Sequence, residues 1–399
     1  MTIKDQVKKI GKEISPALVE IRRYIHQNPE LSFQEFETTQ YLRSHLQKID
    51  VTVLDNYAET GVVGLLTGNR SGPVVALRGD IDALPLKEKT GLPFSSVKDG
   101  VMHACGHDSH ATVIIGAAMI LSKLRDRLPG TVKFILQPGE EKNPGGASIM
   151  VKNSVLKNPA VDVIFGLHSD PRFRVGEIGY KDGQMMAEPD EFRITIKGKG
   201  GHASTPHLTV DPVVIAAEVV MALQKIPSRL MAPYDQVVVT VSKIAGGSTT
   251  NVIPDSVKLL GTVRTFDHEL AKKIAHFMRQ IIRGICSAYG AEFDFEFIYG
   301  YPVVVNDKSA TQFLVQIAGE YLGENNCYEL ERPSFGGEDF AFYLQRVKGS
   351  FFRLGTGNPE KGITAYWHNS EYTIDEDALA VGAGLMAYLA YQYLAGQKK

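Results

Sequence analysis

The stretch 102–110, MHACGHDSH, sets Cys105, His103, His107, Asp108 and His110 within a few residues of one another. Thiolate, imidazole and carboxylate each present a lone pair once deprotonated, and a borderline-soft divalent cation accepts all three. The spacing is that of no zinc finger, so the cluster taken alone also fits a polar loop with an incidental cysteine. A second chemical feature is the pair Glu140-Glu141 in PGEE. One carboxylate of such a pair can bind a cation while the other takes a proton from water, whose pKa a metal lowers from about 16 toward about 7. Without company, two glutamates in a turn are usually just solvated.

The elements that must carry these residues change that reading. VVGLL (62–66), VVALRGDID (74–82), TVKFILQ (131–137) and VDVIFGLH (161–168) are β-rich runs, nearly continuous in apolar side chains, as strands buried on both faces are. Helical patterns flank them: Val7, Ile10, Ile14, Leu18, Ile21 and Ile25 recur at three and four, and TVIIGAAMILSKL (112–124) has an apolar face. This alternation predicts a mostly parallel sheet. Asp80 and Asp82, Glu140 and Glu141, and His168 then fall at the carboxyl ends of three strands, where open α/β sheets place their sites. CGHD lies between two of them, just before a helix. Asp82 also suits the role of an acceptor that orients an imidazole ligand. His168 alone would suit a core histidine capping its strand.

Near Met185 the rhythm changes. EFRITIKG, DPVVIAAEVVMALQKI, QVVVTVSKI, SVKLLGTVRTF, HELAKKIAHFMRQIIRGICSAYG and AEFDFEFIYG follow as β-α-β-β-α-β, the order of a ferredoxin-like unit able to fold as an insert. The expected fold class is α/β. A catalytic domain of residues 1–184 and 301–399, with a mostly parallel mixed sheet flanked by helices, carries an inserted ferredoxin-like α+β domain of residues 185–300. In that insert GKGGHAS (198–204) has neither the ending of a P-loop nor dinucleotide spacing, which argues against nucleotide binding. His202 among glycines suits close approach of a substrate. Asn251 can donate to an oxyanion and Arg264 can clamp a carboxylate, although both residue types serve equally as caps and solvated surface.

Composition sets the outer bounds. At 399 residues the chain is long enough for two domains. A net charge of −2 leaves no basic stripe for nucleic acid or an acidic membrane. Three cysteines, Cys105, Cys286 and Cys327, argue against a disulfide framework and for a reducing, cytoplasmic setting. The opening MTIKDQVKKIGKEI has no continuous apolar core of a signal peptide. The uncharged run 378–396 approaches spanning length, but Ala, Gly, Tyr and Gln dilute it and it reads as a buried closing helix.

HQNPELSFQE, LRGDIDALP, MHACGHDSH, PGEE with GGA, GLHSDP, GHASTPH, TTNVIP, GTVRTF, GGEDFAFY and the late His368 stand in order along nearly the whole chain. In this set the chain resembles the M20 metallopeptidase family. It is most similar to the amidohydrolase branch of N-acyl-amino-acid deacylases, hippurate hydrolases and hydrolases of indole-acetyl amino-acid conjugates, to which the thiol of Cys105 points. The resemblance implies two divalent metal ions per subunit, Mn²⁺ or Zn²⁺ ahead of Co²⁺ or Ni²⁺, held by Cys105, His107, Glu141, His168 and His368. Glu140 would be the general base and Asp82 would support the ligands, with His103 and Asp108 in lesser supporting roles. The resemblance further implies a homodimer through the inserted domain, acting as a lid, with His202 reaching the partner's active site and Asn251 and Arg264 holding the substrate. The chain departs from the pattern at Ser109, where the branch often has glycine, and at Lys142-Asn143-Pro144 after the two glutamates. It also lacks the proline often found after His368. The expected activity is hydrolysis of an N-acyl, foremost N-acetyl, amino acid to a carboxylate and free amino acid. Two alternatives stand beside it: an amidase with Cys105 as nucleophile and His107 as base, and a silent metal-binding scaffold.

Overall fold

The amino-terminal apolar stripe forms helix α1 (Ile3–Gln27), started by a capping box in which Thr2 and Asp5 bond reciprocally. The computed structural model describes residues 1–396 and divides into two units. The first comprises Met1–Met185, Val305–Arg332 and the chain from Asp339 onward; the second comprises Met186–Val304 and Pro333–Glu338.

After α1 come α2 (Phe36–Lys48), β1 (Thr52–Leu54), β2 (Val62–Thr67), β3 (Val74–Asp80), α3 (His107–Lys123), β4 (Thr131–Gln137), α4 (Gly146–Lys152), β5 (Val163–Arg174), β6 (Ile178–Tyr180) and β7 (Gly183–Met186). There follow β8 (Glu188–Lys197), β9 (Gly201–His202), α5 (Pro212–Leu223), β10 (Val237–Ala245), β11 (Val252–Ile253), β12 (Ser256–Thr265), α6 (His268–Tyr289) and β13 (Glu292–Ile298). The chain ends its described course with β14 (Val304–Asn306), α7 (Lys308–Leu322), β15 (Cys327–Glu329), α8 (Ala341–Leu344), β16 (Gly349–Gly357) and α9 (Asp377–Gly396).

The first unit is built on an eight-stranded sheet of order β1-β2-β4-β3-β5-β16-β6-β15. Its centre, β4-β3-β5-β16, is parallel, while β1, β2 and β6 bring the antiparallel pairs that make the sheet mixed, as the alternating pattern predicts. β3 is buried along its whole length, its apolar first half as well as Arg78 and Asp80 at its carboxyl end. Helix α3 packs on α1 and α9. The approach to α9 is close enough that a methyl group on Gly116 would stand 2.6 Å from Cβ of Ala383. Helix α9 is long and apolar enough to cross a membrane, yet Leu385, Met386, Ala387 and Leu389 sit in the core of the first unit.

The second unit places its four long strands in the order β10-β12-β8-β13, all antiparallel neighbours. Helix α5 begins where the Asp211 side chain accepts from the amide of Val213, with Pro212 at the first helical position. Helix α6 begins at Asp267, which caps Glu269 and Leu270, and ends at Gly290 in the left-handed conformation. Ile215 and Val219 of α5 and Ile274, Met278 and Ile282 of α6 cover Phe192, Ile194 and Ile196 of β8. Pro333–Glu338 joins this unit because the Ala187 amide bonds the carbonyls of Ser334 and Gly336 at 3.0 Å each.

Candidate metal centre

Register in the parallel sheet brings the polar strand ends level. Asp80 of β3 pairs with Gln137 of β4, so the turn 138–141 leaves the sheet beside Asp80 and Asp82. Arg78 pairs with Gly166 of β5, which sets His168 two residues on at the same height as Asp80. The motif 102–110 is partly helical: α3 starts at His107, one residue after Gly106, whose φ of +88° lets the chain turn there. His107 and His110 then lie three apart on one helix and share a face.

These segments bring the five expected ligands together. Cys105 Sγ is 3.3 Å from Nε2 of His168, and Glu141 Oε1 is 3.2 Å from Nε2 of His368 and 4.0 Å from Nε2 of His107. Their ligand atoms fall into overlapping groups, Cys105-His107-His168, Cys105-Glu141-His368 and His107-Glu140-Glu141, each tight enough for one ion. Two donor atoms in these groups, Nε2 of His107 and Oε1 of Glu141, are buried without a hydrogen bond. Such atoms are costly unless something occupies the space between them. Nδ1 of His107 lies 3.0 Å from the carbonyl oxygen of Asp82, and Nδ1 of His168 lies 2.7 Å from that of Ser169. A carbonyl only accepts, so both rings donate from Nδ1 and both turn Nε2 toward the shared space.

The electrostatics ask for a positive charge there. Burial opposes the charged form of His107, but Asp80, the hydrogen bond the ring donates to Asp82, and Glu141 outweigh it and lift the ring to about 10. Burial, with the carboxylates of Glu141 and Glu140, pushes the Cys105 thiol well above its ordinary range. A thiolate therefore needs a cation beside it. That chemistry fits two divalent metal ions, and it is the opposite of an activated nucleophile.

Glu140 is buried and grouped with His107 and Glu141. Asp82 bonds His107 through Oδ1 and receives the Glu141 amide at Oδ2. Asp108 is held by Arg22 at 2.8 Å and His26 at 2.9 Å, both on its Oδ2. His103 is buried with both ring nitrogens unbonded, and burial pushes it down to about 3. In the second unit His202 lies on β9 opposite Val252 of β11, and its Nδ1 accepts from the amide and hydroxyl of Ser204. Asn251 is next to it, its carbonyl bonded by the Ala203 amide. Arg264, on β12, donates to the hydroxyl of Thr262.

Several residues inside the motifs do work that the sequence does not assign to them. Ser32 donates to Asp82 Oδ2 at 2.7 Å, and Glu35 accepts the Gly139 amide at 2.8 Å, so the HQNPELSFQE segment holds both the support of His107 and the turn of Glu140. His110 bonds Asp80 at 2.6 Å. Asp339 accepts from Arg78, Gln137 and the Ala147 amide. Each lies inside a motif already noted, Ser32 and Glu35 in HQNPELSFQE, His110 in MHACGHDSH and Asp339 in GGEDFAFY, but the residue types alone assign it no partner.

Comparison with known proteins gives the chain a family. The description "Peptidase family M20/M25/M40" matches residues 76–392. The chain is 41% identical to an N-acetylcysteine deacetylase of Bacillus subtilis (strain 168), over 95% of this chain and 97% of that one. It is 38% identical to thermostable carboxypeptidase 2 of Saccharolobus solfataricus, over 98% and 99% of the two chains. The crystal structure of a dinuclear metal-binding peptidase of the M20 family from Bacillus subtilis superposes with a TM-score of 0.80 at 39% identity, covering 96% of this chain and 99% of that one.

Proposed function

The chain belongs to peptidase family M20/M25/M40, and from that premise we propose that its first unit hydrolyses the amide bond of N-acyl amino acids, N-acetyl ones foremost. The observation that carries the reading is the convergence of buried Cys105, His107 and His168, partly buried Glu141 and exposed His368 on overlapping ligand groups, with Glu140 at their side. We assign those five as ligands of two divalent ions, Zn²⁺ or Mn²⁺ ahead of Co²⁺ or Ni²⁺. When bound, the ions supply positive charge that polarises the scissile carbonyl and acidifies the attacking water.

The residues do the rest. Glu140 takes a proton as the water oxygen attacks the carbonyl carbon, then gives it to the amine nitrogen as the C–N bond breaks. Asp82 fixes the His107 ring, and Asp80 and Asp82 keep the pocket negative. In the second unit His202 donates to the developing oxyanion of a second copy's site, while Asn251 and Arg264 hold the substrate carboxylate or oxyanion. A homodimer through this unit is supported by β10, an edge strand, and by the exposed apolar side chains of Val213, Val214 and Met221 on α5. The three free cysteines suit the reducing cytoplasm.

The test is to strip the metal, restore Zn²⁺, Mn²⁺ or Co²⁺, and assay N-acetyl, N-benzoyl and indole-acetyl amino acids. Release of free amino acid only with metal is expected. Activity that survives chelation and dies on alkylation would instead favour Cys105 as nucleophile, and no turnover with any metal would favour a silent scaffold. Because one relative is named a carboxypeptidase, N-blocked dipeptides belong in the same panel; faster cleavage of those would move the substrate class to peptides.

A further inference from the structure

Ser169, the residue after His168 on β5, engages every polar group it has. Its carbonyl oxygen accepts from Nδ1 of His168 at 2.7 Å and from Nε1 of Trp367 at 2.8 Å. Its amide donates to Nε2 of His110 at 2.8 Å. Its hydroxyl lies 2.9 Å from the hydroxyl of Tyr372, 3.0 Å from Nε2 of His110 and 3.3 Å from the carbonyl oxygen of Cys105. Ser169 is wholly buried and Tyr372 all but 1% so.

The protons of this chain of bonds follow from who can donate. A backbone amide never accepts, so Nε2 of His110 bears the lone pair and its ring proton sits on Nδ1, against Asp80. Tyr372 is buried in full and remains an O–H, which it gives to the Ser169 hydroxyl. Ser169 then turns its own proton to His110 or to the Cys105 carbonyl. A single pair of hydroxyls thereby joins the Cys105-Gly106 turn, the end of β5 that carries His168, and the segment that carries His368.

Two further observations place Tyr372 at this junction. A Cβ on Gly106 would stand 2.3 Å from the Ser169 hydroxyl and 2.8 Å from that of Tyr372, so the pair is seated directly on the turn between Cys105 and His107. His368 has a φ of +59°, a conformation that a side-chain-bearing residue keeps only when its surroundings hold it. Its amide bonds the carbonyl of Ala104 at 2.8 Å, and the Tyr372 amide closes the turn on Asn369 at 3.0 Å. Tyr372 thus anchors the far end of the turn on which His368 sits.

We propose that Tyr372 is a positioning residue for the metal set Cys105, Glu141 and His368: through Ser169 it holds the His368 turn against the Cys105 turn. The proposal rests on the two-metal reading above. It is tested by titrating metal-free wild type, Tyr372→Phe and Ser169→Ala with Co²⁺, following the thiolate-to-cobalt absorption band and the metal retained at fixed free Co²⁺. Wild type should take up two equivalents. Both variants should bind one equivalent about 10–100-fold more weakly and the other, which shares Cys105, less so, with a shifted or weakened thiolate band. Their unfolding midpoints should fall no further than that of Tyr388→Phe, which removes the hydroxyl of another buried tyrosine, on α9. Two equivalents bound within twofold of wild type, with the band unchanged, would overturn the role of Tyr372. Equal weakening of both equivalents would overturn its assignment to one set. A wild type that binds no metal would instead bring down the two-metal reading itself.

Discussion

Asp82 meets His107 twice at the same nitrogen: its carbonyl oxygen lies 3.0 Å from Nδ1 and its carboxylate Oδ1 3.1 Å from it. The carboxylate's other oxygen accepts from the Glu141 amide and the Ser32 hydroxyl. One buried side chain therefore sets the aim of an imidazole and the position of the PGEE turn together. Asp82→Asn should weaken metal binding about 10–100-fold, with excess metal restoring part of the turnover. Metal titration by calorimetry reads this directly, and wild-type affinity in the variant would refute it.

Glu140→Gln keeps size and hydrogen bonding but removes the base. Turnover should fall by about 10²–10⁴-fold, while the metal content, measured by mass spectrometry, stays at two ions. Loss of metal in step with activity would reassign Glu140 as a ligand.

The strand-end residues are legible in the sequence because β3, β4 and β5 are buried on both faces and their apolar runs stop abruptly at polar side chains. The pattern of residues alone thus gathers Cys105, His107, Glu141 and His168 at one edge of one sheet. What joins them is not written there. Ser32 meets Asp82, Glu35 meets Gly139, and Arg22 meets Asp108 across long stretches of chain. No local period encodes such a meeting; it depends on how α1, α2 and the sheet pack. The start of α3 inside the metal motif is hidden for a local reason, since Gly106 supplies the turn without a capping side chain.

Arg22 and Asp108 form an ion pair with both side chains 1% exposed. Removing the guanidinium leaves the buried carboxylate with His26 as its remaining partner on Oδ2, so Arg22→Leu should cost up to about 3–5 kcal/mol of stability. Urea unfolding measures the loss. Adding Asp108→Asn should recover part of it, and strict additivity of the two changes would argue against the pair.

In the second unit Glu188 and Asp190 of β8 are buried side by side, with His268 bonded to Glu188 and the Gly300 amide to Asp190. Burial and the charge of Glu188 hold the Asp190 carboxyl at about 7, against the pull of that amide and of His268. Arg264 is the other cation that feels this charge. A folded value above the unfolded one, about 3.9, means that the native state keeps a proton that the unfolded chain has released. Stability from this group is full below about pH 4, falls by on the order of 1 kcal/mol per pH unit toward pH 7, and is level above that. Asp190→Asn should flatten the pH dependence of unfolding between pH 5 and 7 and stabilise the protein at pH 8. Parallel curves for variant and wild type would count against a proton held on Asp190.

Helix α9 packs against α1, so the core of the first unit closes only when residues from the two extremes of the described chain meet. During synthesis this imposes a wait. At about 5–20 residues per second the ribosome needs about 20–70 s to pass from Gln27 to Asp377. Over that interval α1 and α3 present apolar faces with no α9 to cover them. The second unit has its two helices and four long strands in one uninterrupted stretch and can assemble meanwhile. The half-made catalytic unit is therefore the nascent species most exposed to chaperones and proteases, and α9 is the element whose arrival ends that exposure.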